Sequence, residues 1–442
     1  MGTKRRTLIL GAGVTGLAAG YASGLPVYEA AEAPGGICSS YYVRPGSTQR
    51  LSQAPADGEA YRFEIGGGHW IFGGDPVVLR FIRSLTPVKT YPRRSAVYFR
   101  AEACYVPYPL QYHLAFLGEE LAAQALDEMS APTEATPLTM AQWLEARFGP
   151  ALSRRFFGPF HQRYTAGLWT EIAPQDPYKS PLDLALVRQG AQGRTTAAGY
   201  NIRFVYPEAG LDTLARKMAR RGDVHYGWRV VEVDPRRKVV AFEDGREAAY
   251  NVLLSTLPLS QMTAMTGIET EQPPDPYTSV LVLNIGAVRG PRCPDHHWLY
   301  VPDSEAGYFR IGCYSNVEPA FLPKSARASQ NRVSFYVERA YPGGEKPDPD
   351  DGADYAHAVV AELQEAGFIE TTEVVDPTWI EVAYTWSRPG STWPRQAIQQ
   401  LEAYDIFMVG RYGRWRFQGI AESIRDGFVA GTAFREGSDF GF

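Results

Sequence analysis

The sequence predicts an α/β fold in which a Rossmann-like domain is joined to a helical insert and a mostly antiparallel β-sheet domain. Three patterns predict this arrangement. The chain opens on a short apolar run followed by closely spaced glycines, residues 112–170 are mainly helical in pattern, and alternating apolar and polar residues begin at Arg229. A chain of 442 residues is long enough for two or three domains.

The first element is a βαβ unit. Residues 6–10, RTLIL, indicate a buried strand, GAGVTGLAAGYAS a helix of small residues, and PVYEA a second strand. Basic residues before an apolar stretch are also typical of a signal peptide. The spacing of the glycines favours strand, turn and helix instead, so we expect the beginning of a parallel sheet.

Three glycines and one acidic residue give this unit a nucleotide-binding fingerprint. Gly11, Gly13 and Gly16 form G-x-G-x-x-G directly after the first strand, and Glu29 closes the second strand. The first glycine permits a tight turn, the second lets the backbone approach a pyrophosphate, and the third lets the helix pack closely on the sheet. Glu29 is expected to accept a hydrogen bond from a ribose hydroxyl, so the pattern predicts a bound dinucleotide.

A helical insert and an antiparallel region follow. LGEELAAQALDEM and TMAQWLEARFGPALSRRFFGPF are the best helical segments, with Thr139 as the cap of the second. Hairpins in RVVEVDPRRKVVAFEDGREAAY lead into the buried strand NVLLSTLP, whereas PGGEKPDPDDGAD (342–354) predicts a solvated loop. The expected domains are a discontinuous dinucleotide-type domain (1–100 with 205–275 and 395–442), a mainly helical cap (101–204) and an antiparallel sheet domain (276–394).

Composition argues against several classes of protein. The net charge of −5 does not suit a nucleic-acid surface, which needs a basic face. No stretch is long and apolar enough to predict a transmembrane helix. The four cysteines form no CxxC pair, which predicts neither a disulfide framework nor a zinc site and fits a reducing cytosol (Cys38, Cys104, Cys293 and Cys313). We therefore expect a cytoplasmic protein with a small-molecule ligand and no metal.

A glycine pair and two strands extend the fingerprint. Gly35 and Gly36 follow the acid in EAPGGICSS, and RVVEV and NVLLSTLP provide further strands. Together these stretches resemble the flavin-binding fold of the amine oxidase type, in which the glycine pair lies beside the FAD diphosphate. The resemblance implies that FAD is the cofactor and that Val230 or Val231 faces its adenine.

Two further turns resemble the flavin end of that fold. FEIGGGHWIFGG (63–74) is similar to the loop facing the isoalloxazine, which makes Gly68 and His69 cofactor contacts. GRYGRWRFQGIAE (410–422) has the strand, glycine turn and helix start that cradle phosphate. The resemblance implies that the first and last turns grip opposite ends of one extended ligand, with Gly410 and Arg411 as contacts. An ordinary turn with exposed arginines is the alternative for Arg411.

Four stretches resemble UDP-galactopyranose mutase in particular. They are VPYPLQ (106–111), YTAGLW (164–169), WLYVPDSEAGYFR (298–310), which is the most specific, and GRYGRW. The resemblance implies that the substrate is bound by Tyr108, Leu110, Gln111, Tyr164, Trp169, Arg188, Tyr300 and Arg310. It implies that the catalytic residues are His69, Trp169 and Arg310. Lys179 is the alternative to Arg188.

The residue chemistry suits these roles. A diphosphate needs a guanidinium fork and phenolic donors, and a hairpin can bring Tyr300 and Arg310 together. Taken singly, Trp169 is more often part of a core. Three positions depart from the family, because Phe417, Ala421 and Ser391 stand where it has two tyrosines and an asparagine that contact diphosphate. Phenylalanine and alanine offer no side-chain donor.

The implied function is a flavin-dependent nucleotide-sugar mutase that interconverts pyranose and furanose forms. In that family N5 of reduced FAD attacks the anomeric carbon, so reduced FAD is the active form and NAD(P)H the expected reductant. Two alternatives are open: a redox enzyme of the same fold, such as an amine oxidase or a desaturase, and a flavoprotein that binds a nucleotide sugar without turnover. Neither the sugar, the nucleotide nor the oligomeric state follows from the sequence.

Overall fold

A computed structural model describes residues 6–131, 136–174, 182–194 and 202–435. Its strands are β1 (Thr7–Leu10), β2 (Pro26–Tyr28), β3 (Ser40–Val43), β4 (Arg50–Leu51), β5 (Tyr61–Glu64), β6 (Ile71–Phe72), β7 (Val88–Pro92), β8 (Ser95–Phe99), β9 (Cys104–Pro107), β10 (Arg203–Pro207), β11 (Asp223–His225), β12 (Val230–Asp234), β13 (Val239–Phe242), β14 (Glu247–Ala249), β15 (Val252–Ser255), β16 (Tyr277–Arg289), β17 (Trp298–Tyr300), β18 (Arg310–Cys313), β19 (Arg332–Pro342), β20 (Ile369–Thr385) and β21 (Ile406–Met408).

Its α-helices are α1 (Val14–Ser23), α2 (Pro76–Leu85), α3 (Glu119–Ser130), α4 (Met140–Leu152), α5 (Gly158–Tyr164), α6 (Leu184–Ala191), α7 (Leu211–Ala219), α8 (Leu259–Thr266), α9 (Tyr314–Val317), α10 (Pro349–Glu365), α11 (Trp393–Glu402), α12 (Gly410–Gly413) and α13 (Ile420–Ala433). A π-helical turn, Ser153–Phe157, joins α4 to α5. Short 3-10 turns lie at Leu110–Tyr112, Leu114–Leu117, Leu168–Thr170, Pro319–Phe321 and Lys324–Ala326.

The first and last strands of the chain belong to one parallel sheet. Its order is β11-β2-β1-β15-β21, and each neighbouring pair is parallel. All four residues of β1 are buried, as expected of a short apolar run in the middle of a parallel sheet. The predicted βαβ opening is therefore confirmed, and the C-terminal segment returns to the N-terminal sheet as predicted.

Small residues let α13 lie directly on α1. A Cβ atom added at Gly427 would overlap the carbonyl oxygen of Thr15, and one added at Gly431 would overlap that of Ala19. The two glycines are four residues apart and therefore share one face of α13. This close contact joins the two ends of the described chain beside the first glycine turn.

The antiparallel part is larger than predicted. Its seven strands have the order β20-β16-β19-β18-β17-β8-β9. β8 and β9 lie within residues 95–107, which the sequence assigned to the other two domains, so that boundary is corrected here. β8 enters the sheet through a parallel pairing with β17, about 200 residues away in sequence, which no local pattern reveals. The predicted hairpins from Arg229 are confirmed as the three-stranded sheet β12-β13-β14.

The helical insert follows the sequence, with one interruption. Thr139 caps α4, because its Oγ1 accepts a hydrogen bond from the Gln142 amide at 3.3 Å and the Gln142 side chain accepts one from Thr139 N at 3.2 Å. Gly149 has φ +79°, which breaks the long predicted helix before Pro150. The acidic segment 342–354 is only partly a loop, since the Asp348 side chain caps α10 at Pro349. Among the residues described above, no helix has the length and apolar character needed to cross a bilayer.

Candidate active site

A cavity of about 590 Å³ lies between the parallel sheet and the seven-stranded sheet. Its wall contains residues of the first glycine turn, the loop after β5, the helical insert, five strands of the larger sheet and the last glycine turn. Of the predicted site residues, the wall contains Gly11, Gly13, Gly35, Gly36, Gly68, His69, Tyr108, Tyr164, Tyr300, Arg310 and Arg411. The fold therefore gathers residues up to 400 positions apart in sequence around one space.

At one end of the cavity, the first glycine turn and the glycine pair are in direct contact. Gly13 and Gly35 form a β-bridge, and Gly35 N donates to Ala12 O at 2.8 Å. Gly11, Gly35 and Gly36 have φ of +90°, +114° and +56°, which a residue with a Cβ rarely adopts. The fingerprint thus forms a turn whose backbone is open to a ligand, at the start of α1.

Gly16 and Glu29 support this turn from behind the wall. A Cβ atom at Gly16 would overlap the Gly11 carbonyl, which confirms the predicted close packing of helix on turn. The Glu29 carboxylate accepts from the backbone N–H groups of Ala12 at 2.6 Å and Ala31 at 2.9 Å. Glu29 therefore fixes the turn geometry, and its contact with a ribose stays a prediction.

The last glycine turn lies beside the first one, not at the far end of the cavity. Gly410 has φ +78°, and a Cβ atom added there would lie 2.6 Å from Thr15 Oγ1. The prediction that the two turns hold opposite ends of a ligand is therefore corrected. Parallel strands end at the same edge of their sheet, so the turns after β1 and β21 are brought together there.

Arg411 carries a charge that no described carboxylate neutralises. Its Nη1 donates to Gln418 O at 3.2 Å and its Nη2 to Ala383 O at 3.0 Å, while the buried Nε has no partner. Within the parts of the chain that the structure covers, no carboxylate lies within ion-pair distance of it. A half-buried guanidinium held only by neutral carbonyls on the cavity wall favours an anionic or acceptor-rich ligand.

The loop after β5 is packed tightly against other cavity residues. A Cβ atom at Gly66 would lie 2.5 Å from the His69 ring, one at Gly67 would lie 2.7 Å from Glu338 Oε1, and one at Gly68 would overlap the Tyr336 hydroxyl. Burial, with Arg411 and Arg310 nearby, lowers the pKa of His69 to about 4. The imidazole is therefore neutral at neutral pH and acts as a hydrogen-bonding group, not as a cation.

Three adjacent strands place Tyr300, Arg310 and Glu338 in one row. Tyr300 is directly opposite Arg310, and Arg310 is directly opposite Glu338, so their side chains share the face that lines the cavity. Arg310 Nε and Nη2 donate to the two oxygens of Glu338 at 2.5 and 2.7 Å. Burial alone would lower the pKa of Arg310. The Glu338 carboxylate has the larger effect, so the pKa of Arg310 is raised above its ordinary value.

A line of aromatic rings continues from this row to the other end of the cavity. Tyr384 receives a hydrogen bond from Arg310 Nη2 at 3.4 Å, and its ring lies 4.9 Å from that of Tyr164. The Tyr108 and Tyr300 rings are 4.7 Å apart, and Phe160 contacts Tyr300 edge-on at 5.4 Å. This end of the cavity is therefore shaped for a flat or apolar group with a few phenolic donors.

Some predicted ligand residues do not line the cavity. Leu110 and Gln111 lie in a buried 3-10 turn. Trp169 follows Gly167, whose φ is +90°, and its indole N–H donates to Gln162 Oε1 at 3.0 Å. For these residues the matching sequence stretch is present, but the side chains are not part of the wall.

Three more predicted contacts are absent from the wall. Arg188 is exposed in the last turn of α6, and its alternative Lys179 lies outside the described residues. Val230 packs in the core between the three-stranded and parallel sheets, and Val231, which points to the opposite face of β12, is 48% exposed. These residues therefore lie outside the cavity wall, and their contacts with a cofactor or substrate stay predictions.

The three departures from the family pattern occupy different environments. Phe417 lines the cavity, and the Arg411 guanidinium lies 4.6 Å from its ring centre. Ala421 packs against Gly74, and the Ser391 hydroxyl accepts from Trp393 N at 3.3 Å away from the wall. Ser391 therefore supplies no group to the cavity wall, whereas Tyr384 places a phenol there.

Sequence reasoning missed Glu338 and Tyr384. Both lie in long strands, β19 and β20, whose patterns predicted only strand. A glutamate directly after the apolar run FYV in RVSFYVERA was the available signal for Glu338. Tyr384 had none, because phenols are common in strands and only the pairing of β20 with β16 brings it to Arg310.

Comparisons with known proteins add the family context. The family model of flavin containing amine oxidoreductase matches residues 17–433. The solved structure of reduced UDP-galactopyranose mutase is 20% identical over 97% of this chain and 95% of that chain, with a TM-score of 0.80. A fatty acid isomerase from P. acnes (15% identity, 98% and 99% coverage, TM-score 0.59) and cyclohexylamine oxidase from Brevibacterium oxydans IH-35A (13%, 98% and 98%, 0.60) share the fold. The predicted fold class and both predicted resemblances are confirmed.

Proposed function

This chain belongs to the flavin containing amine oxidoreductase family, and from that premise we propose that it is a nucleotide-sugar mutase interconverting pyranose and furanose forms. The observation that carries the proposal is the row of Tyr300, Arg310 and Glu338 in the same cavity as the two glycine turns. The likeness to reduced UDP-galactopyranose mutase supports it at the level of the fold.

FAD fits the end of the cavity formed by the glycine turns. The backbone at Gly11 and Gly35 leaves no room for side chains, Gly36 has the positive φ that favours glycine, and the turn presents N–H groups at the start of α1, where a diphosphate binds well. The unpartnered Nε of Arg411 is available to an acceptor atom of the cofactor. In its reduced form FAD supplies the nucleophile that a ring contraction without net redox change requires.

The charges on the wall favour an anionic substrate over an amine. Among the described lining residues, the cations are Arg93, Arg310 and Arg411, and the carboxylates are Glu338 and Glu422. Glu338 is paired with Arg310, and Glu422 accepts from Gly419 N at the start of α13. A cationic amine would therefore meet an excess of positive charge, which weighs against an amine oxidase.

The residues of the row would hold the nucleoside diphosphate as a leaving group. Arg310 Nη1 has no hydrogen-bond partner in the described chain, Nη2 donates to the Tyr384 hydroxyl at 3.4 Å, and Tyr300 is directly opposite Arg310 on the neighbouring strand. These groups donate to phosphate oxygens and stabilise the negative charge as it grows on the departing diphosphate. Neutral His69 supplies a further hydrogen-bonding group at the flavin-facing loop.

The test is conversion by the reduced holoenzyme. Purified protein is reduced with dithionite, and separately with NADH or NADPH as the proposed natural reductants, and incubated with a panel of nucleotide sugars. Chromatography that separates pyranose from furanose forms is expected to show conversion of at least one. Oxygen consumption with an amine and no conversion would support an oxidase instead.

A matched pair of variants tests whether UDP binding depends on the row of Tyr300, Arg310 and Glu338. Arg310→Ala is expected to weaken UDP binding at least tenfold and to leave FAD bound, because Arg310 lies on β18 and is not part of either glycine turn. Arg236→Ala, an exposed arginine in the β12–β13 turn, is expected to change neither. If reduced protein binds UDP and converts no sugar, the chain is a binding flavoprotein, a reading favoured by the lost donors at Phe417 and Ala421.

A further inference from the structure

His161 lies on the cavity wall in α5, between two aromatic residues that also line it. We propose that His161 determines nucleotide specificity by accepting a hydrogen bond from an N–H or O–H group of the nucleoside. This inference rests on the proposed function and names a contact at the nucleoside end of the same cavity. No sequence pattern pointed to this residue.

The hydrogen bonding of the ring fixes its tautomer. His161 Nδ1 lies 2.7 Å from the carbonyl oxygen of Phe157, one turn earlier in the helical segment. A carbonyl oxygen can only accept, so Nδ1 carries the ring hydrogen and Nε2 carries a lone pair. Burial lowers the pKa of His161 to about 4, so the ring keeps this neutral form at neutral pH.

The free lone pair of His161 Nε2 lies at the aromatic end of the cavity, where the nucleoside is proposed to bind. His161 Nε2 has no hydrogen-bond partner among the residues that the structure describes. The ring lies 5.3 Å from Phe160 and 6.1 Å from Tyr164, and Phe160 contacts Tyr300 at 5.4 Å. An aromatic base held among these rings therefore has its polar edge or its ribose within reach of an acceptor.

An acceptor with a fixed tautomer discriminates between ligands. It stabilises a ligand that presents a hydrogen at this point and disfavours one that presents another acceptor or a methyl group. A neutral hydrogen bond of this kind contributes about three- to tenfold in affinity. His161 thus discriminates between nucleosides, whereas Arg310 and the phenols bind the charged diphosphate.

The experiment measures binding to the reduced holoenzyme by calorimetry with UDP, N3-methyl-UDP and 2′,3′-dideoxy-UDP. His161→Phe keeps the ring and removes the acceptor, and is expected to weaken UDP binding three- to tenfold. The variant and the wild type should have equal affinity for the one analogue that lacks the hydrogen bound by Nε2. Equal affinity for N3-methyl-UDP would assign the contact to the base, and equal affinity for the dideoxy analogue would assign it to the ribose.

Two further variants make the outcome decisive. His161→Gln places an amide near the Nε2 position and is expected to recover most of the UDP affinity, and His357→Phe, exposed on α10, is the matched control and should change nothing. Equal losses for all three nucleotides, or none for UDP, would overturn the assignment while leaving the proposed function intact. Failure of the wild-type protein to bind UDP would overturn the assignment, and failure to bind dTDP, GDP and ADP as well would contradict the proposed function itself.

Discussion

Arg310 and Glu338 face each other across neighbouring strands and form a two-point ion pair, with Nε–Oε2 and Nη2–Oε1 distances of 2.5 and 2.7 Å. The Glu338 side chain is almost wholly buried, and Gly67 of the loop after β5 packs against its carboxylate. The pair therefore connects the proposed phosphate-binding arginine to the loop that carries His69. It also fixes the guanidinium so that only Nη1 faces a ligand.

Glu338→Gln is expected to destabilise the protein by about 2–3 kcal/mol in urea unfolding, because it leaves Arg310 without its counter-charge. This is below the usual cost of breaking a fully buried pair, since the Arg310 side chain keeps 20% exposure. Glu381→Gln, on the exposed side of β20, is the control and should cost less than about 0.5 kcal/mol. Equal stabilities of the two variants would contradict this role of the pair.

Gly427→Ala is expected to lower stability by about 1–3 kcal/mol, because the new Cβ overlaps the Thr15 carbonyl and forces α13 away from α1. Thr15 lines the cavity, so FAD binding should weaken as well. Gly352→Ala in α10 meets no atom within 4 Å and is expected to be neutral or stabilising by up to about 1 kcal/mol. Thermal unfolding of the holoprotein distinguishes the two substitutions.

Arg411→Met is expected to weaken FAD binding at least tenfold, measured by the fluorescence of FAD released on dilution. The substitution removes the unneutralised charge and frees the carbonyls of Gln418 and Ala383. Arg414→Met is the matched control, because Arg414 is exposed and its nearest carboxylate, Asp426, lies at 3.9 Å. If both variants retain FAD equally, Arg411 is not a cofactor contact.

Glu64 makes stability fall as pH rises. Burial raises the pKa of this carboxyl from 4.5 to about 8, although Tyr206 and Ser40 donate hydrogen bonds to it. Unfolding therefore releases a proton between about pH 4.5 and 8, and the free energy of unfolding declines through that window.

Glu64→Gln removes the titratable carboxyl, so the free energy of unfolding is expected to decline less as pH rises. Relative to the wild type, the free energy of unfolding of the variant should increase by a few kcal/mol between pH 5 and 8, at about 1.4 kcal/mol for each pKa unit. Urea unfolding at several pH values provides the measurement. Parallel pH profiles for the two proteins would show that Glu64 ionises normally in the folded state.

Local patterns predicted much of the site. The glycine turn with Glu29, the glycine pair and the run from Trp298 to Arg310 were all interpretable, because each is a continuous stretch whose geometry follows from a turn or a hairpin. The prediction that a hairpin brings Tyr300 and Arg310 together is confirmed, and the structure adds that the two residues are directly opposite.

Side-chain direction was the part that could not be predicted. Trp169 and Gln111 belong to matching stretches, but 3-10 turns of three residues each carry them, and their side chains are not part of the wall. A one-residue change of phase moves a side chain to another face, and periodicity over so short an element does not fix that phase. His161 was missed for the same reason, in a segment where the helix passes through a π turn.

By itself, the sequence determined a parallel sheet that begins with a dinucleotide turn, a helical insert, an antiparallel domain, and a match to the flavin containing amine oxidoreductases. Tertiary structure alone decided that the two glycine turns lie side by side, that Glu338 holds Arg310, and that Tyr384 and His161 reach the cavity. The physical reason is that strand order and register join residues tens to hundreds of positions apart, and no local periodicity encodes those pairings.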